Sequence, residues 1–81
     1  MKTTYSYKEI ENVKFKLIDL VSKLEGNSAA ITYLDPLKSE IKHYDVLLAE
    51  LGENNLLTDS GYVAGLYETE KLIESIYEAV K

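Results

Sequence analysis

A chain of 81 residues, 46% apolar and 28% charged, has room for one domain with a small core and is too hydrophobic for a disordered segment. It has no Cys, four Gly and one Pro, which removes disulfides, thiolate chemistry and cysteine metal sites and disfavours turn-rich all-β folds. The net charge is −5 and every basic residue is Lys, so direct nucleic-acid binding is not expected: phosphate affinity needs clustered positive charge, and Arg is its bidentate reader.

The first helix is announced by a capping box. Ser6 and Glu9 stand three apart, and Tyr5 and Ile10 occupy the two staple positions around them. Apolar residues then recur at Ile10, Val13, Leu17, Leu20 and Leu24 in alternating steps of three and four, with Val21 beside them. Gly26-Asn27 ends the run, Gly being the residue that takes a left-handed cap without penalty. The pattern predicts a helix over about 7–25.

The second helix has two possible starts. Ser28 caps a helix from Ala29, or Asp35 caps one that opens on Pro36. Tyr33, Leu37, Ile41, Tyr44, Leu48 and Leu51 share one side and hold phase through Pro36. That continuity favours one helix over about 29–51, kinked near Pro36, at the known cost of a mid-helix proline.

Gly52 stops the second helix, and residues 52–60 read as a loop whose Leu56 and Leu57 tuck under the bundle end. Thr58, Asp59 and Ser60 are all suitable caps for a third helix over about 60–80. Its stripe is Tyr62, Leu66, Thr69, Ile73, Ile76 and Val80, widened by Val63 and Tyr77. Gly65 inside it calls for close approach of another helix or a Tyr ring, because Gly costs about 1 kcal/mol relative to Ala there.

Three helices with short links predict a single all-α domain over residues 1–81, an antiparallel up-down-up three-helix bundle. No apolar run approaches the ~20 residues of a membrane span, and Met-Lys-Thr-Thr-Tyr is not an apolar leader. The expected setting is the cytoplasm, with no membrane partner.

Two surfaces stand out for binding. Phe15 points almost straight away from the first helix's stripe, and with Ile18 and Tyr7 it makes a second, smaller apolar patch rimmed by Lys14 and Lys16. On the third helix, Glu70, Glu74 and Glu78 follow one another at four-residue spacing, an acidic ridge with Tyr67 off the stripe beside it. The charge is graded along the chain: residues 1–27 net +1, 28–51 net −2 and 52–81 net −4. The acidic end suits a basic partner surface.

Nothing assembles into a catalytic set. His43 is the only His and sits at the edge of its stripe, Cys is absent, and the acids do not converge at a metal-ligand spacing. The sequence therefore predicts a non-enzymatic chain without cofactor or metal. The expected function is a small acidic helical module that binds and regulates or inhibits a larger protein, as accessory proteins of phages and mobile elements do. Two alternatives use the same residues. One is a nucleic-acid mimic whose Glu ridge stands in for phosphates against a nucleic-acid enzyme. The other is a structural homo-oligomer, at its simplest a homodimer, joined through the Phe15 patch.

Overall fold

The computed structural model describes residues 3–26, 32 and 34–79. In chain order these form β1 (Tyr5–Ser6), α1 (Tyr7–Leu24), α2 (Leu34–Leu51), β2 (Leu56–Leu57) and α3 (Ser60–Ala79). The protein is an all-α three-helix bundle in which α1 packs against both α2 and α3.

The start of α1 follows the sequence closely. Ser6 accepts a hydrogen bond from the Glu9 N–H, and the Glu9 carboxylate accepts one from the Ser6 N–H, so two orphan donors are satisfied reciprocally. Both staple residues, Tyr5 and Ile10, are buried. The stripe from Ile10 to Leu24 is buried throughout, Val21 included. The end of α1 differs from expectation. Glu25 closes it in a right-handed conformation, its N–H donating to the Val21 carbonyl. Among the described residues Gly52, at φ 83°, is the glycine with positive φ, and it marks the end of α2 instead.

The sequence expectation of a helix running on from residue 29 falls mostly on 27–31 and 33, which lie outside the described residues, as does Tyr33. The described helix begins at Leu34. Pro36 is the third residue of that described span. The Asp35 cap does not describe this start, since Asp35 is already helical, and the stretch that would place Pro36 mid-helix lies outside the described residues.

A short antiparallel pairing joins the two segments that precede α1 and α3. Tyr5 pairs with Leu57 and Ser6 with Leu56. The 52–60 stretch is therefore not all loop: Leu57 is buried against the core, while Leu56 is exposed rather than tucked under. Asp59 caps α3, its carboxylate accepting from the N–H groups of Gly61 and Tyr62. The buried face of α3 is Val63, Leu66, Ile73 and Ile76. Tyr62, expected on this stripe, is exposed, and Thr69 and Tyr77 are half-buried at its edge; Val80 lies outside the described residues.

Side-chain ties fix how the helices lie. The Tyr5 hydroxyl donates to Glu70 at 2.7 Å, and the Tyr77 hydroxyl donates to Asp19 at 2.6 Å. These ties advance together along both segments, so α1 and α3 run the same way, as the first and third members of an up-down-up order must. Lys14 pairs with Asp45 across α1 and α2. The Tyr44 hydroxyl donates to the Thr69 hydroxyl at 2.8 Å, linking α2 to α3. Among the described residues no buried side chain is polar beyond the two core tyrosines, and no buried side-chain N or O lacks a hydrogen-bond partner.

Candidate functional site

Phe15 and Ile18 stand on the outer face of α1, 53% and 42% exposed. They are three residues apart on one helix and so adjoin each other. Their exposure follows from the stripe: with Ile10, Val13, Leu17, Leu20 and Leu24 turned inward, Phe15 has no direction but outward. Lys14 sits beside the patch, its ammonium 5.8 Å from the centre of the Phe15 ring and paired with Asp45. Tyr7, expected as a third member, is half-buried and packs against the core. It belongs to the N-terminal packing that starts with Tyr5.

The acidic ridge of α3 is divided. Glu70 is half-buried and accepts the Tyr5 hydroxyl, which ties it into the fold. Burial, and after it the neighbouring Glu70 carboxylate, pushes the Tyr5 phenol well above its usual pKa, so the phenol stays a donor. Glu74 and Glu78 remain exposed. Tyr67 is half-buried, with the Lys71 ammonium 4.6 Å from its ring centre, a cation–π arrangement that occupies one face of the ring.

Between the ridge and α1 lies a second aromatic-ion group. Tyr77 donates to Asp19, and Lys23 approaches both: 3.4 Å from the Asp19 carboxylate and 4.9 Å from the Tyr77 ring centre. The Tyr77 hydrogen bond, aided by Lys23, holds the Asp19 carboxyl below its ordinary pKa. Burial and the Asp19 bond push the Tyr77 phenol up to about 12. The group fastens α1 to α3 and is structural in character.

A third feature escaped the sequence. The outer sides of α2 and α3 diverge into a groove of ≈ 440 Å³, with Glu40 and His43 on one wall and Tyr62, Gly65 and Thr69 on the other. The rings of His43 and Tyr62 stack across it, 6.0 Å apart and 25° from parallel. Gly65 is exposed, and a Cβ placed on it meets no atom within 4 Å. The close intrachain approach expected there does not occur among the described residues. The signal in the sequence that points to the groove is Gly65 within a helix; Tyr62, expected on the stripe, faces the groove instead.

Among the described residues no three His, Cys, Asp or Glu side chains are gathered as a metal-binding group, and no helix is long and apolar enough to cross a membrane. Compared with known proteins, the chain matches no family model, no curated protein sequence and no solved structure.

Proposed function

We propose that this protein is a non-catalytic binding module that regulates or inhibits a larger protein partner. The observation that carries the reading is the outward placement of Phe15 and Ile18 on a helix whose stripe, Ile10, Val13, Leu17, Leu20, Val21 and Leu24, is buried. Among the described residues sixteen apolar side chains fill the core without them. With Phe15 53% and Ile18 42% exposed, covering what remains recovers about half of the 1.5–3 kcal/mol of a full burial for each, roughly 1 kcal/mol apiece. Lys14 and Lys16 supply a polar rim, the usual surround of an interface anchor. In this reading the chain is a small acidic accessory protein of phage or mobile-element type, acting in the cytoplasm without a cofactor.

Glu74 and Glu78 give the partner's basic residues something to steer toward, while Glu70 contributes to the fold. A phosphate-mimicking ridge therefore has fewer carboxylates to present than its four-residue spacing suggested. The test is affinity capture from host lysate with the wild type and with folded Phe15→Asp and Glu74→Lys variants, alongside sedimentation of each. A protein retained by the wild type and lost by Phe15→Asp supports the reading. Loss with Glu74→Lys alone, and strong salt sensitivity, favours the nucleic-acid mimic. A wild-type dimer that Phe15→Asp converts to a monomer assigns the patch to self-association.

A further inference from the structure

We propose that the groove between α2 and α3 is a docking site for a basic amphipathic helix of a partner protein. It is a surface separate from the Phe15 face, so either can fail while the other stands. The first support is the spacing on α3. Tyr62, Gly65, Thr69, Leu72 and Ile76 succeed one another in steps of three, four, three and four, a second seam beside the one that packs the core. Tyr62 and Leu72 are 44% and 47% exposed, although the seam ends in buried Ile76. A helix with two seams has room for a further helical neighbour, and this spacing is the one a helix reads.

The second support is Gly65. Its exposed position and unobstructed Cβ mean that nothing among the described residues calls for glycine, which costs about 1 kcal/mol in a helix interior. On the groove wall the missing side chain leaves depth for an incoming ridge. From Tyr62 to Leu72 the seam runs roughly 15 Å at 1.5 Å per residue, on the order of three helical turns.

Charge selects the kind of helix. Glu40 is the acidic side chain lining the groove, with His43 beside it, and among the lining residues there is no Lys. On the same sides of the helices, Glu50 follows His43 by seven residues and Glu68 follows Gly65 by three. An acidic groove on a chain of net charge −5 favours a cationic helix and disfavours a second copy of the same surface. Lys or Arg opposite Glu40, with small or apolar residues against Tyr62 and Gly65, meets the chemistry present.

The experiment is a titration of the full chain, followed by its backbone amide NMR signals, with two synthetic peptides of about 16 residues. Both carry the same Ala/Leu face; one has Lys and the other Glu on the opposite face. The Lys peptide is expected to move the amides of residues 39–44 and 61–72, saturably, and to bind at least about tenfold more tightly than the Glu peptide. Glu40→Gln should weaken it several-fold, and Gly65→Leu should abolish binding. Glu40→Gln keeps the test valid if Gly65→Leu unfolds. No response to the Lys peptide, equal affinity for both peptides, or shifts centred on Phe15 would overturn the proposal. So would movement of the groove amides with protein concentration alone, which would make a second copy the occupant.

Discussion

Replacing Gly65 with Ala should make the protein more stable. The position lies within α3, its φ is not positive, and the new methyl would meet no atom within 4 Å. No packing gain or clash enters, so the change isolates intrinsic helix propensity: about 0.8–1.0 kcal/mol in favour of Ala, chiefly because Gly leaves the unfolded chain more freedom. In a domain of this size that raises the thermal midpoint by roughly 4–8 °C. Urea denaturation followed by circular dichroism measures it as a higher midpoint at unchanged slope. Gly52→Ala is the matched opposite, because φ 83° there penalises any Cβ by about 1–2 kcal/mol and Asn55 Nδ2 stands 3.2 Å from it. A Gly65→Ala midpoint at or below wild type refutes the reasoning: it would mean that Gly65 serves the fold, and that its exposure on the groove wall signifies nothing for binding.

Tyr5→Phe should lower stability by about 1–2 kcal/mol, since it removes a hydrogen bond to the half-buried Glu70 carboxylate while leaving the ring packed. Glu70→Gln, which keeps an acceptor, should cost less, and equal midpoints for wild type and Tyr5→Phe would show that the bond contributes nothing. Alkaline pH should unfold the protein early. Burial, with Glu40 nearby, pushes the Tyr44 phenol up to about 12 from an ordinary value of 10.0, so the folded state holds a proton that the unfolded state gives up in between. That contribution is fully present below pH 10 and is lost as pH rises through 12, on the order of 2–3 kcal/mol by linkage. Tyr5 and Tyr77 shift in the same direction. Urea midpoints from pH 8 to 12 should fall, and less steeply in Tyr44→Phe; parallel curves would contradict the assignment.

The parts of the fold that could be read from sequence are those decided by neighbours along the chain. The Ser6–Glu9 box, the Tyr5–Ile10 staple and the stripe to Leu24 are local patterns, and each holds. Phe15 was legible for the same reason, because helical geometry alone turns it from the stripe. What escaped depends on elements far apart in sequence. Two residues per strand carry no period, so the Tyr5–Leu57 and Ser6–Leu56 pairing left no pattern. Tyr7 and Glu70 look like surface residues until the strand pairing brings the N-terminal segment onto α3. On α2 and α3 the buried face lies slightly to one side of the inferred stripe: Leu47 is in and Tyr62 is out, while Val63 is in as expected. Both helices direct their apolar sides toward α1, the shared neighbour, and that choice opens the groove where Gly65 sits.

The outward position of Phe15 is tested most directly by the urea midpoint of Phe15→Asp. A side chain 53% exposed, on a face the core does not use, predicts a stability within about 0.5 kcal/mol of wild type. A loss of about 3 kcal/mol or more, the scale of truncating a buried Phe, would place the ring inside the fold and leave no anchor on α1 for a partner.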